Sequence, residues 1–258
     1  MSELLSGQAS ELNDDELLRY SRQIMLPNFD VAGQLALKNS RVLIIGLGGL
    51  GSPVSLYLAA AGVGCLILVD DDEVDISNLQ RQIVHSEHNV GMSKVDSAAD
   101  SLRQLNPTIT IRTQAVRLEG VALLHALEQV DLVVDCTDNF ATRFEINRAC
   151  VAVKVPLVSG AAIRMEGQVS VFDSRNKDAP CYQCLYSDIS DEQLTCSESG
   201  VMAPLVGIIG AMQAMEAIKL LSGTGQPLIG RLLLLDAMSM QWRSLKLKKD
   251  PACPCCSK

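Results

Sequence analysis

Aromatic side chains are scarce in this chain of 258 residues, at 3% with a single tryptophan. A core must therefore be filled by aliphatic side chains and alanine, which a hydrophobic content of 48% can supply. Positive charge is also short: Lys and Arg number 22 against 30 Asp and Glu, a net charge of -8. A nucleic-acid binder normally carries a basic footprint, so this balance argues against that class while leaving a basic partner protein open. No basic N-terminal region leads into an apolar signal segment, and no run of 18 uncharged apolar residues occurs. The expected location is cytoplasmic, with no membrane partner. The most apolar stretch, VMAPLVGIIGAMQAMEAIKLL, carries Glu216 and Lys219 in its later turns and reads as a buried or interface helix. In that compartment nine cysteines suit ligands, nucleophiles or core residues better than a disulfide framework.

Local patterns give the organisation. ELNDDELLRYSRQI (11–24) reads as a polar-capped helix with Arg19 and Arg22 near its end. RVLIIG is a wholly apolar strand, as expected where both faces of a parallel sheet are covered. SPVSLYLAAAGV follows as helix, starting near Gly51 or Ser52, with Pro53 tolerated in its first turn. CLILVD is strand, 93–105 helix, TITIRTQAV strand, VALLHALEQ helix, DLVVDCTD strand, FATRFEINRACVAVK helix and VPLVSGAAI strand. This alternation predicts a doubly wound, Rossmann-like α/β sheet, mostly parallel. After residue 160 the pattern changes. GAAIRMEGQVSVFD and RLLLLDAMSMQWRSLKL show hairpin-like spacing, which predicts an antiparallel C-terminal extension of the same sheet. A single domain over 1–258 is expected, with an N-terminal helical segment at 11–35 and a nucleotide-binding half at 40–160.

Gly46-Leu47-Gly48-Gly49-Leu50-Gly51 satisfies G-x-G-x-x-G between a strand and a helix. Glycines there permit a tight turn and close approach of a phosphate, and the helix N-terminus offers unpaired N–H groups. Asp70, closing the next strand, is in the usual position to hold ribose hydroxyls. These features alone also fit an NAD(P)-dependent oxidoreductase, although no hydride-transfer residues stand out. Arg81, which follows Asn78 in NLQR, and Lys94 in VGMSK suit a triphosphate better, because basic groups stabilise a leaving pyrophosphate. The competing reading of both is a solvated surface. Asp138, in DCTDN, is expected to end a parallel strand at the ligand-binding edge, where a Mg²⁺-ATP role competes with helix capping.

Cys181-Tyr-Gln-Cys184 and Cys253-Pro-Cys-Cys256 are two C-x-x-C pairs far apart in sequence. Each can supply one edge of a tetrahedral structural Zn²⁺ site pinning the C-terminal tail to the body. Cys255 leaves the second pair ambiguous. Cys196, in LTCSESG, is a loop cysteine that can serve as an accessory nucleophile or be a spare thiol. Cys65, Cys136 and Cys150 lie in apolar contexts and read as core. His85, His88 and His125 read as local hydrogen bonders.

Together, GLGGLG, VDDDEVDISNLQRQ, the lysine of VGMSK, DCTDN, KVPLVSGAAIRMEGQ, the two C-x-x-C pairs and GVMAPLVGIIGAMQAMEAIK resemble the E1-like adenylating superfamily. The likeness runs from about residue 11 to the last cysteine. It leans toward the molybdopterin-pathway branch, with the thiamine-pathway branch a close neighbour, and no rhodanese-type or ubiquitin-type catalytic cysteine domain accompanies it. The resemblance implies an enzyme that uses Mg²⁺-ATP to adenylate the C-terminal Gly-Gly carboxylate of a small ubiquitin-like sulfur-carrier protein, releasing pyrophosphate. It implies that Gly46, Gly48, Gly49 and Gly51 line the nucleotide site and that Asp70 holds the ribose. Asn78, Arg81 and Lys94 would contact phosphates, and Asp138 would serve the metal and the α-phosphate. Arg22 would reach the ATP of the partner subunit, which implies a homodimer. Cys181, Cys184, Cys253 and Cys256 would be the zinc tetrad, within a carrier-binding and zinc-bearing half at 161–258. A sulfur-donor protein is a further implied partner. A non-catalytic, zinc-stabilised interaction module that kept the fold is the remaining alternative.

Overall fold

The computed structural model describes residues 11–186 and 200–257. Cys196 lies outside them. At the start, Asn13 accepts from the Glu16 N–H while the Glu16 carboxylate returns to the Asn13 N–H, a reciprocal cap on α1 (Asp14–Arg19). The single helix expected over 11–24 is instead broken at Tyr20, and α2 (Ser21–Ile24) restarts after it. The reason is tertiary. The Tyr20 ring is buried, and its hydroxyl receives Asn106 Nδ2 at 2.8 Å and lies 3.1 Å from Thr108 Oγ1. A third helix, α3 (Asp30–Lys38), leads into the sheet.

The strands are β1 (Arg41–Ile45), β2 (Cys65–Val69), β3 (Thr110–Gln114), β4 (Leu132–Asp135), β5 (Leu157–Ile163), β6 (Glu166–Phe172), β7 (Arg231–Asp236) and β8 (Gln241–Lys246). They form one eight-stranded sheet in the order β3-β2-β1-β4-β5-β6-β7-β8. Pairing is parallel from β3 to β5 and antiparallel from β5 to β8, so the sheet is Rossmann-like and mostly parallel in its first half, with the antiparallel extension expected. The chain runs outward from β1 to β2 and β3, then returns to β4 on the other side of β1. That reversal opens a crevice beyond the carboxyl ends of β1 and β4, where ligands bind in open α/β sheets.

Alternation along the strands divides the core between two faces. Val42 and Ile44 of β1 face one way, with α3, α4 (Gly51–Ala61), α5 (Lys94–Leu105) and α9 (Ala203–Ser222) contributing Leu37, Leu58, Leu102 and Ile209. Leu43 and Ile45 face the other way, toward α6 (Gly120–Leu127), α7 (Phe140–Val153) and α8 (Tyr182–Leu185), which contribute Leu123, Ile146 and Tyr182. Helix α9 is long and apolar enough to cross a membrane. Here its buried side packs on β5, β6 and α4, as the sequence reading of a buried helix expects. Glu216, buried within it, pairs with Lys219 and accepts the Leu228 N–H at 2.8 Å.

Candidate active site

The loop between β1 and α4 uses its glycines in two ways. At Gly46 φ is +90°, and a Cβ would lie 2.8 Å from the Cys136 carbonyl oxygen. At Gly51 a Cβ would meet the Gly46 carbonyl oxygen at 1.9 Å. Both therefore permit backbone to approach backbone. A Cβ on Gly48 would make only ordinary contact, 3.5 Å from Gln82, and one on Gly49 would press on Val206 at 3.0 Å. Gly46, Gly48 and Gly49 line the cleft above the β1–β4 reversal. Gly51 lies behind them at the start of α4.

Asp70 follows β2 and accepts the Leu47 N–H at 2.6 Å on Oδ2 and the Asp72 N–H at 2.9 Å on Oδ1. Burial pushes its carboxyl above the usual range, and these two donors together with the charge of Lys94 pull it partly back. Lys94 opens α5 with its side chain buried, and its ammonium meets the exposed carboxylate of Asp72 at 2.7 Å. His85 fixes the glycine loop to α5. Its Nε2 lies 3.0 Å from the Leu47 carbonyl oxygen and its Nδ1 lies 2.9 Å from Ser97 Oγ. Burial lowers its pKa, which favours the neutral ring. It is a local hydrogen bonder in structure as in the sequence reading.

Asp70, Arg81, Lys94 and Asp138 all line one cleft with the glycine loop. Besides Gly51, two expected residues lie elsewhere. Asn78 is absent from the cleft lining. Its carbonyl oxygen accepts the Arg81 N–H at 3.1 Å and the Gln82 N–H at 3.0 Å, so it shapes the turn that presents Arg81. Arg22 is exposed on α2, outside the cleft of its own chain. Asp138 does not end β4 as expected, because the strand stops at Asp135. The Asp135 carboxylate accepts both the Thr137 N–H at 3.0 Å and the Thr137 hydroxyl at 2.7 Å, turning the chain out of the sheet. Asp138 is carried on that turn. Cys136 and Cys150 are buried, and Cys65 is half-buried.

A second cavity adjoins the cleft over the antiparallel strands. Ala161, Gly167, Gln168, Leu235 and Arg243 line it, and it shares Asp138, Arg143 and Ala162 with the first. Arg143 was missed in the sequence. Its signal was a polar pair at helical spacing, Arg143 and Asn147, on the same side of α7 as buried Ile146 and Cys150. Burial opposes its charge, but Asp135 together with Tyr182 and Tyr186 more than offsets that, and its pKa rises.

The four cysteines of the two C-x-x-C pairs converge. Cys181 Sγ lies 3.7 Å from Cys253 Sγ and 4.0 Å from Cys184 Sγ, and Cys184 Sγ lies 3.5 Å from Cys256 Sγ. All four sulfurs fall within 4.8 Å of one another. Cys255 stands beside this group, receiving Asn147 Nδ2 at 3.3 Å.

Comparison with known proteins gives consistent matches. The family model described as "ThiF family" matches residues 20–255. The molybdopterin-synthase adenylyltransferase of Escherichia coli (strain K12) is 54% identical over 247 residues, covering 96% of this chain and 99% of that protein. The sulfur carrier protein ThiS adenylyltransferase of the same organism is 48% identical, covering 95% of this chain and 97% of its own length. In fold, the chain is similar to the crystal structure of E. coli MccB with MccA-N7isoASN. The TM-score is 0.82 at 25% identity, covering 92% of this chain and 74% of that one.

Proposed function

The chain belongs to the ThiF family, and we infer that it is the adenylyltransferase that activates the small sulfur-carrier subunit of molybdopterin synthase. It adenylates the carrier's C-terminal glycine carboxylate at the expense of ATP and releases pyrophosphate for molybdenum cofactor biosynthesis. The likeness to a molybdopterin-synthase adenylyltransferase exceeds that to the ThiS enzyme, 54% against 48%. The observation that carries the reading is the shared wall. One cavity has the glycine loop and basic residues suited to a nucleotide, the other sets the small Ala161, Ala162 and Gly167 beside Arg143 and Arg243, which suits a Gly-Gly tail and its carboxylate, and the two meet at Asp138, Arg143 and Ala162.

In this arrangement Asp70 holds the ribose, and the N-terminus of α4 with Gly46, Gly48 and Gly49 approaches the phosphates. The tail carboxylate is already anionic and needs no general base. One of its oxygens attacks the α-phosphorus, and the bond from that phosphorus to the bridging oxygen breaks with its electron pair leaving on pyrophosphate. The products are an acyl-adenylate and pyrophosphate. Arg81 and Lys94 stabilise the departing charge, and the protein otherwise acts by alignment. Mg²⁺ held at Asp138, a hard oxygen donor facing both cavities, would supply further neutralisation of phosphate charge. Asn78 contributes by shaping the turn that carries Arg81.

The Cys181, Cys184, Cys253 and Cys256 set fits Zn²⁺. Thiolates about 2.3 Å from a tetrahedral zinc lie about 3.8 Å apart; the separations of 3.5, 3.7 and 4.0 Å bracket that value, and all four sulfurs lie within 4.8 Å of one another. Zinc there would fix the C-terminal tail against α8. We further assign a homodimer in which Arg22 reaches the neighbouring cleft. The apolar side chains exposed around it, Leu18, Met25 and Leu26, support that surface as an interface. A sulfur-donor protein would then attack the acyl carbon through its sulfur and displace AMP.

The test is carrier-dependent exchange of labelled pyrophosphate into ATP, comparing a molybdopterin-synthase small subunit with a thiamine-type carrier. Exchange with the molybdopterin carrier is expected. Exchange confined to the thiamine-type carrier would move the pathway, and silence with both would overturn the reaction.

A further inference from the structure

The turn that carries Asp138 is held from behind by a buried assembly to which β4, β5, α7 and α9 contribute. Asp135 is fully buried at the end of β4. Its carboxylate takes the Thr137 N–H and hydroxyl, and on its other oxygen the hydroxyl of Ser159 from β5 at 3.2 Å. Its carbonyl oxygen takes Gln213 Nε2 from α9 at 2.8 Å. Opposite lies Arg143, 6% exposed, with Nε 4.0 Å from the Asp135 carboxylate and Nη2 donating to the Thr137 carbonyl oxygen. Thr137 is thus gripped on both its N–H and its C=O, and Asp138 is the next residue.

Behind Arg143 the assembly continues toward the cysteine cluster. The Tyr182 hydroxyl is buried with no hydrogen-bond partner among the described residues. Its ring stacks edge-on to Phe144 and Phe172. The Tyr182 N–H donates to Asn147 Oδ1 at 2.9 Å, one turn along α7 from Arg143, and Asn147 Nδ2 reaches Cys181 at 3.6 Å and Cys255 at 3.3 Å.

We propose that Arg143 is a positioning residue for adenylation: it fixes the Thr137–Asp138 turn at the wall between the nucleotide cavity and the second cavity. This rests on the reading above for its catalytic consequence, but its structural half does not. Neither Asp70, Arg81 nor Lys94 is bound by Arg143, so ATP can be held without it, whereas alignment of the two reactants across the shared wall cannot. A misplacement of about 1 Å at such a wall is enough to cost about 100-fold in rate.

The experiment compares wild type with Arg143→Gln, Arg143→Lys and Tyr182→Phe. Exchange of labelled pyrophosphate reports turnover, equilibrium binding reports ATP affinity, and hydrogen exchange reports the amides of 136–139. Arg143→Gln is expected to lower kcat about 100-fold, with ATP Kd within about threefold, and to speed hydrogen exchange at Thr137. Arg143→Lys should recover part of the rate. Tyr182→Phe, which keeps the ring packing and removes a hydroxyl with no hydrogen-bond partner among the described residues, is the control and should leave kcat within about threefold of wild type. Wild-type kcat in Arg143→Gln, unchanged protection at Thr137, or ATP affinity falling in parallel with kcat overturns the proposal. Faster hydrogen exchange at Thr137 in a protein that adenylates no carrier would retain the positioning role and fail the reaction.

Discussion

Strands β1 and β8 belong to one continuous sheet, yet four of five residues of β1 are buried and all six of β8 are exposed. The parallel half is covered by helices on both faces and closes its own core. The antiparallel half ends in an edge strand preceded by the exposed side chains of Met238 and Met240 and bearing those of Trp242 and Leu245. An apolar edge left open is a liability unless something covers it. In the proposed function the parallel half holds the small substrate and the antiparallel half receives a protein. The difference between the halves therefore predicts a separation of effects: ATP binding belongs to the first, turnover to both.

The largest break of that separation is expected at Lys94. Lys94→Met keeps the length of the side chain and removes its charge, leaving the solvent-exposed Asp72 without its partner. The rate of pyrophosphate exchange should fall about 100- to 1,000-fold, the usual cost of removing a group that stabilises transition-state charge. Far-UV circular dichroism should stay unchanged, and a variant turning over at the wild-type rate would remove Lys94 from the mechanism. The second test addresses the other half. Cys181→Ala should abolish bound zinc by elemental analysis and lower Tm by more than about 5 °C, a loss of roughly 2 kcal/mol at this chain length. ATP affinity should survive with little change. Retained zinc and an unchanged Tm would contradict the structural role.

A third measurement sharpens the comparison across subunits. In the proposed homodimer, Arg22→Ala and Lys94→Met should each be inactive alone, but mixed and re-equilibrated dimers should recover about a quarter of the wild-type sites, because half the dimers carry one intact site. A mixture as dead as its components would show that Arg22 does not act across subunits. The smallest effect is expected at Gly48. Gly48→Ala meets only Gln82 at 3.5 Å, so stability should change by less than about 1 kcal/mol. ATP affinity should nevertheless drop several-fold if phosphates approach there; unchanged affinity would put them elsewhere on the loop.

The two halves were also unequally legible before the structure. In the parallel half, strand, glycine turn and helix are contiguous, so periodicity and G-x-G-x-x-G point to the glycine loop and Asp70 at one sheet edge, while Arg81 and Lys94 join them only through the chemistry of a triphosphate and the family resemblance. What contiguity hides is division of labour. Gly51 is required by the Gly46 carbonyl oxygen, not by a ligand, and Asn78 acts on its own turn. The break at Tyr20 was invisible because its cause, Asn106, lies 86 residues away. In the antiparallel half, the C-x-x-C pairs announce themselves by spacing, but their convergence depends on the fold. Arg143 read as one more polar residue of a helix, and only the burial of its guanidinium against Asp135 shows that it faces the wall between the cavities.

The central claim is that the reaction occurs where the halves meet, so the most direct measurement pairs ATP binding with pyrophosphate exchange, using an intact carrier and one lacking its terminal glycines. The account predicts that ATP binds equally well in both cases and that exchange appears only with the intact tail. Exchange that proceeds with the truncated carrier, or ATP binding that itself requires the tail, would contradict it.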